Sequence, residues 1–271
     1  MLKDITIGQH FPGKSPVHNL DARLKIVITV LFVIVRFMST NFPGLILSGV
    51  FVLAMYKLSG IPLKMLKKSI KPLMPLIVFT VILNLFFIKG ETPLIKLGFV
   101  EIYPEAVMFI IVMISRILLL ICGTSLLTYT TSTIALTDGL EALMKPLNKI
   151  NFPVHEMAMM MTIALRFIPT LIEETEKIMN AQKSRGALLD SGSFSDKIKA
   201  LVPILVPLFI SAFRRAEELA TAMECRCYHG GEGRTRLRQL KITNDDIRYT
   251  AVCMVTFAVI LSMKLFFTRV I

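Results

Sequence analysis

Leu201-Val202-Pro203-Ile204-Leu205-Val206-Pro207-Leu208-Phe209-Ile210-Ser211-Ala212-Phe213 is the stretch whose reading decides the fold of this chain. Taken alone it looks like part of a membrane span. It is only 13 residues long and broken by two prolines, where a crossing helix needs about 20 predominantly apolar residues. Its flanks give a different reading. Ile198, Leu201, Leu205, Phe209, Ala212, Ala216, Leu219 and Met223 recur at three- and four-residue steps, while Arg214, Arg215, Glu217 and Glu218 fall off that stripe. That is the period of one long amphipathic helix, running from about Ser195, a plausible N-cap, to Cys227, and stopping near Gly230-Gly231. Val154–Ile172 poses the same question. It contains His155, Glu156 and Arg166 and is followed at once by Glu173, Glu174 and Glu176. The spacing predicts a second long helix from Pro153 to Arg185, with proline in its first turn, a bend at Pro169 and Gly186 as a left-handed cap. A shorter helix is expected over Ile134–Asn148. Counting both apolar stretches as spans would leave the final chain orientation unchanged, so periodicity, not charge, assigns 130–248 to a helical cytoplasmic domain. Its apolar faces are expected to press on the membrane region or on another membrane protein.

The rest of the chain is of another kind. The 271 residues are 54% hydrophobic, with a mean hydropathy of +0.66, above the 45–50% apolar share usual for soluble domains. The excess lies in runs long enough to cross a bilayer. Spans are expected over Leu24–Asn41, from the turn Asn41-Phe42-Pro43-Gly44 to Leu58, over Pro72–Ile88, over Ala106–Tyr129, the longest unbroken run, and over Tyr249–Thr268. Between them, 57–71 carries Lys57, Lys64, Lys67, Lys68 and Lys71 and no acid, which marks a cytoplasmic loop. Residues 89–105 set Lys89 and Lys96 against Glu91, Glu101 and Glu105 and read as an external loop. The fold class is therefore all-α: a polytopic helical membrane protein with about five transmembrane helices and a cytoplasmic domain of three coupling helices, two of them long and crossing. The expected domains are 1–131, 132–247 and 248–271, with the N-terminus cytoplasmic and the C-terminus external. The first 23 residues hold no apolar core, so no cleavable leader is expected.

Several features invite other chemistry. The net charge of +12 is what basic cytoplasmic loops produce, so no nucleic-acid partner is expected. His155-Glu156 begins a zinc-protease pattern, but position 159 is Met159 where the second histidine belongs,. Cys225 and Cys227 bracket an arginine, with only His229 nearby, so no metal is expected. With Cys122 and Cys253 they suggest no disulfide framework. Gly230-Gly231-Glu232-Gly233-Arg234 lacks the Gly-Lys-Ser/Thr of a nucleotide loop,. No cofactor is expected and no catalytic cluster is evident. Arg234, Arg236 and Arg238 suit an anchor at the anionic inner leaflet.

The candidate functional residues are Arg185 and Arg226, each in the last turn of a long helix. A cation there complements the helix dipole by about 0.3–1 kcal/mol at an exposed site, which is sufficient reason for an ordinary arginine. Here both are flanked by small residues, Ser184 and Gly186, Cys225 and Cys227, which leave the guanidinium free to enter a groove and grip carboxylates or carbonyls with its fixed fork.

Across nearly its whole length the chain resembles the T component, the transmembrane scaffold of energy-coupling factor (ECF) transporters. The resemblance is carried by Ser15-Pro16-Val17-His18-Asn19-Leu20-Asp21-Ala22-Arg23-Leu24-Lys25 near the start, by Gln182-Lys183-Ser184-Arg185-Gly186, which resembles the first Ala-Arg-Gly-type motif, and by Glu224-Cys225-Arg226-Cys227-Tyr228 with Gly230–Arg236, which resembles the second. Ser184 stands for alanine in the first motif, and Cys225 and Cys227 for alanine and glycine in the second. The resemblance implies a non-enzymatic scaffold in a bacterial cell membrane. Its two arginine-tipped helices insert into grooves on two ABC-type ATPase subunits, which bind the ATP. A separate substrate-binding membrane protein, the S component, packs on its apolar surface and takes up a vitamin or a transition metal. Met157, Met159, Met160 and Met161 offer an adaptable surface through which one scaffold serves several S components. Met157, Met160, Met161, Leu205 and Phe209 are the candidate S-component-facing residues.

Two intramembrane arginines, Arg36 and Arg116, have no Asp or Glu in any span to pair with. Both are expected to face the bundle interior, meeting carbonyls, hydroxyls or Asn84. They also support a second function from another class, a self-sufficient secondary transporter with Arg36 and Arg116 on its path.

Overall fold

A computed structural model describes residues 10–13, 15–39, 41–88, 95–97, 100–150, 152–187, 194–230 and 240–266. The helices are α1 (Pro16–Asn19), α2 (Ala22–Met38), α3 (Phe42–Ser59), α4 (Leu63–Ile70), α5 (Met74–Phe87), α6 (Pro104–Thr130), α7 (Thr133–Met144), α8 (Val154–Ser184), α9 (Phe194–Glu224) and α10 (Asn244–Phe266). The residues form two compact units. One takes those between 140 and 230, the other those between 10 and 139 and between 240 and 266.

In the second unit, four helical stretches are long and apolar enough to cross a membrane: Phe42–Ser59, Lys64–Phe87, Pro104–Thr130 and Asn244–Lys264. The expected first span is shorter than its sequence suggests. It is α2, 17 residues ending at Met38, at the lower limit of about 17–25 for a crossing. The exposed apolar faces suit a lipid solvent: on α5, Leu76, Phe79 and Phe87 are largely uncovered. The core lies where α2, α3, α6 and α10 meet. Phe32, Phe51 and Phe257 pack ring to ring with centroids 5.4–6.1 Å apart, and Tyr56 donates its hydroxyl to the Cys122 carbonyl at 3.0 Å.

Two connections differ from the sequence reading. The lysine-rich segment 57–71 is not simply a loop: Leu63–Ile70 is helical. Lys64, Lys67, Lys68 and Lys71 form its exposed face, while Met65, Leu66 and Ile70 pack on the core. Their spacing of three and four residues is the helical signature that a count of charges overlooks. A 3-10 turn, Lys71–Leu73, joins this helix to α5, so the third span is entered through an amphipathic helix. In the segment 89–105, two three-residue strands, Ile95–Leu97 (β1) and Val100–Ile102 (β2), pair antiparallel. They are a minor addition to an all-α architecture.

The starts of α2 and α10 are bound together. Asp21 caps α2, accepting from the Arg23 backbone N–H at 2.9 Å. The Asp21 N–H donates to Asp246 Oδ1 at 3.3 Å, and Asp246 Oδ2 accepts from the Thr243 N–H at 2.7 Å. Arg23 spans the same junction, reaching the Leu240 carbonyl at 3.1 Å. Lys25 donates from Nζ to the carbonyls of His18 and Thr130, both at 2.9 Å, which brings the end of α6 to the same place. The end of α6 and the starts of α2 and α10 therefore meet at one end of the bundle.

Candidate functional site

The unit between 140 and 230 is built on α8 and α9, each of 31 residues. The observed starts correct two details. Pro153 is the N-cap residue, not the first helical one, and α9 begins at Phe194, which puts Ser195 inside the helix. The expected short helix ends at Met144 and continues as a 3-10 segment, Lys145–Ile150. His155 has a structural partner: its Nδ1 lies 3.2 Å from Glu141 Oε1.

Contacts between α8 and α9 run antiparallel. Glu174 on α8 accepts from the Ser211 hydroxyl and from Arg215 Nη2, the latter at 2.9 Å. Two turns on, Gln182 Nε2 donates to the Pro203 carbonyl at 3.3 Å. That carbonyl is the one Pro207 leaves without a helical donor, because proline has no N–H to return four residues back. Sequence reasoning missed both ties. Two prolines four residues apart were the available signal that a bare carbonyl needed a donor. The face of α9 toward α8 runs through Ile204, Leu208, Ser211 and Arg215. Of the stripe singled out from the sequence, Leu201, Leu205, Phe209 and Ala216 are exposed, while Ala212, Leu219 and Met223 are half-buried.

The Ser211 hydrogen bond, together with the Arg215 hydrogen bond and charge, outweighs partial burial and holds the Glu174 carboxyl below the usual carboxylate range. A carboxyl with a depressed folded value stabilises above its unfolded value and loses that contribution as pH falls through the folded one. The α8–α9 tie is thus intact at neutral pH and is released only as acid protonates Glu174, below the pH at which an ordinary glutamate titrates,. Glu174→Ala should loosen the pair by about 1–2 kcal/mol, one net hydrogen bond plus a half-exposed ion pair. Faster hydrogen exchange over 170–185 and 203–216 checks it, and unchanged exchange there refutes it.

At the tips the two helices end in the same way. In the first, the Gly186 N–H donates to the Lys183 carbonyl at 3.0 Å and the Ala187 N–H to Gln182 at 3.0 Å. In the second, the Cys227 N–H donates to Glu224 at 2.9 Å and the Tyr228 N–H to Met223 at 3.1 Å. Both are Schellman closures, and in both the arginine is the C-cap residue. The residue after it is left-handed: Gly186 at φ 86° and Cys227 at φ 55°. Arg185, Gly186, Cys225, Arg226 and Cys227 are all exposed, and Ser184 turns its hydroxyl back to the Asn180 carbonyl at 3.0 Å.

The backbone explains why a glycine suits position 227. A side chain in the left-handed region costs about 1–2 kcal/mol, against which glycine loses about 0.5–1 kcal/mol of chain entropy. Cys227→Gly is expected to stabilise the α9 end by up to about 1 kcal/mol. Slower hydrogen exchange at 224–228 supports this, and faster exchange counts against it.

Of the five residues proposed as an apolar docking face, Phe209 is 61% exposed and Met160 59% exposed. Met161 and Leu205 are also exposed, and Met157 is half-buried. They are not brought together. The register of the antiparallel pair puts Met157, Met160 and Met161 near the Arg226 tip, and Leu205 and Phe209 roughly 30 Å further along by helical rise. The second group belongs to a larger exposed face with Val202, Val206, Ile210 and Phe213.

Residues 13–237 match the CbiQ family model, described as cobalt transport protein. Among curated proteins, the chain is 52% identical over 246 residues to the energy-coupling factor transporter transmembrane protein EcfT of Thermosediminibacter oceani, covering 91% of this chain and 92% of that one. It is 49% identical over 267 residues to EcfT of Ruminiclostridium cellulolyticum, covering 98% and 100%. It is 44% identical over 269 residues to EcfT of Bacillus subtilis, covering 99% and 100%. Apolar crossing helices, two arginine-capped arms and these matches agree: the chain belongs to the family of energy-coupling factor transporter transmembrane proteins.

Proposed function

We propose that this chain is the energy-coupling scaffold of an ECF-type importer, taking movement from two ABC-type ATPase subunits and passing it to a substrate-binding S component. The observation that carries this reading is the equivalence of the two tips. Arg185 and Arg226 occupy the same C-cap position of the same end motif, exposed and with no side-chain partner among the described residues. Antiparallel packing places them at opposite ends of the α8–α9 pair, roughly 40 Å apart by a rise of 1.5 Å per residue. That exceeds the ~30 Å diameter of a small domain, so the arms suit two subunits rather than one. Ser184, Gly186, Cys225 and Cys227 give each guanidinium a narrow approach. ATP is bound by the partners. Residues 132–247 form the cytoplasmic coupling domain between the membrane regions 1–131 and 248–271. The N-terminus is cytoplasmic, the C-terminus external and the membrane the bacterial plasma membrane.

The exposed face around Leu205 and Phe209 and the Met157–Met161 cluster are the surfaces offered to the S component, with methionine allowing exchange among several. The cargo is a vitamin or a transition metal, the latter in line with the matched family's description as cobalt transport protein. Mild-detergent capture of the tagged chain is expected to recover two ABC-type ATPase chains, or one in two copies, and a small membrane protein. Recovery of the chain alone, with transport activity when reconstituted by itself, would instead establish the secondary transporter using Arg36 and Arg116.

A further inference from the structure

Arg36 is 1% exposed, and its guanidinium makes one hydrogen bond among the described residues, from Nη1 to the Ser39 carbonyl at 3.3 Å. Its Nε is buried without a partner, as are Ser39 Oγ and Arg116 Nε. Asn84, expected from the sequence as a partner, is engaged elsewhere, donating to the Thr80 carbonyl at 2.8 Å and toward Met113 Sδ at 3.7 Å.

The register of α2 against α6 brings these groups to one level. Lys25 bonds the Thr130 carbonyl, and the Phe32 ring lies against Gly123. The two contacts step along the helices at the same rate in opposite directions. Continued to the end of α2, the same step sets Arg116 level with Ser39, one turn beyond Arg36. The two guanidinium charges are close enough to act on each other. No carboxylate offsets them among the described residues. Glu105 is three turns away along α6, and Asp245 and Asp246 lie at the far end of α10 from Met263, whose carbonyl accepts from Asn41 Nδ2 at 3.0 Å beside this cluster.

Two guanidiniums and a hydroxyl, all with donors to spare and no acid, constitute half of an anion site. Arginine forks match tetrahedral and planar oxyanions, and a buried cation without a counter-charge is not a stable end state. Depth selects among oxyanions. Arg36 lies two residues before the end of α2 at Met38, and Ser39 is its C-cap, the part of that helix nearest the headgroups. We propose that Arg36, Ser39 and Arg116 form a binding site for one phosphate group, that of a phospholipid headgroup or free inorganic phosphate. The half-buried Arg116 side is the way in.

The test uses the full-length chain. Protein extracted from nanodiscs of phosphatidylglycerol is examined by native mass spectrometry for retained phospholipid. Delipidated protein in a non-ionic detergent is melted with inorganic phosphate or chloride. If the source is lipid, one phospholipid stays bound to the wild type and its occupancy falls roughly tenfold or more in Arg116→Gln, the loss of one charge-assisted donor. If the source is free phosphate, phosphate but not chloride raises the melting temperature, and Arg116→Gln removes the rise. Arg116→Lys, which keeps the charge and loses the fork, falls between in either arm. The half-buried position 116 is chosen because Arg36→Gln risks the fold itself. The site is refuted if the wild type neither retains lipid nor responds to phosphate, or if Arg116→Gln changes neither. It is also refuted if the guanidiniums are filled only by a partner protein's carboxylate once the complex forms.

Discussion

Arg185→Ala with Arg226→Ala is expected to leave the scaffold in the membrane at normal abundance while abolishing ATPase capture and substrate uptake. Both side chains are exposed, so their truncation costs the fold no more than the helix-end term of about 0.3–1 kcal/mol each. In the docked state proposed above the same groups would become buried arginine anchors, the type whose truncation costs about 2–4 kcal/mol. Each single variant should therefore weaken ATPase association by about 30-fold or more. The tips lie far enough apart that the two losses add. Lysine at either position should rescue only partly, since it supplies the charge but not the fork. The measurement is co-purification of ATPase subunits alongside whole-cell uptake, with melting temperature as the control for folding. Normal co-purification and normal uptake in the double variant would sink the scaffold reading. A fall in melting temperature comparable to that of a core variant would show that the arginines act within the chain instead.

What the sequence could and could not say follows from how far apart the interacting residues lie along it. The arginine tips were legible because a helix end is local: a periodic run, a small residue and a glycine announce it within a few positions. The spans were legible because hydropathy accumulates along contiguous residues. The lysine helix was hidden by counting Lys64, Lys67, Lys68 and Lys71 as charge rather than as period. The left-handed backbone at Cys227 was hidden because cysteine does not advertise it as glycine does. Glu174 was read only as a sign against a membrane span. Its partners lie on α9, 37 and 41 residues away, and the intervening register sets that contact. The ties of Asp21 and Arg23 to the start of α10 lie beyond any local pattern.

Asp246→Ala is expected to be among the most destabilising single changes available in the membrane unit. Asp246 is buried, and its two oxygens satisfy backbone donors at the starts of two different helices, Asp21 N–H for α2 and Thr243 N–H for α10. The second bond is the returning half of a capping box, with aspartate in place of glutamate. Alanine leaves both N–H groups without an acceptor, at about 1–3 kcal/mol each, so a loss of about 2–5 kcal/mol is expected. Asp246→Asn keeps one carbonyl oxygen and should cost roughly half as much. Asp245, one residue earlier, is the control. It is exposed and pairs with Arg248 at 3.4 Å, and its replacement by alanine should stay within about 0.5 kcal/mol. Thermal melting in detergent separates the outcomes: a large fall for Asp246→Ala, a smaller one for Asp246→Asn and almost none for Asp245→Ala. Equal shifts at 245 and 246 would show that the junction of α2 and α10 does not depend on this carboxylate. The same series divides structure from coupling. Loss of Asp246 should reduce uptake together with melting temperature, whereas loss of Arg185 and Arg226 should reduce uptake at an unchanged one.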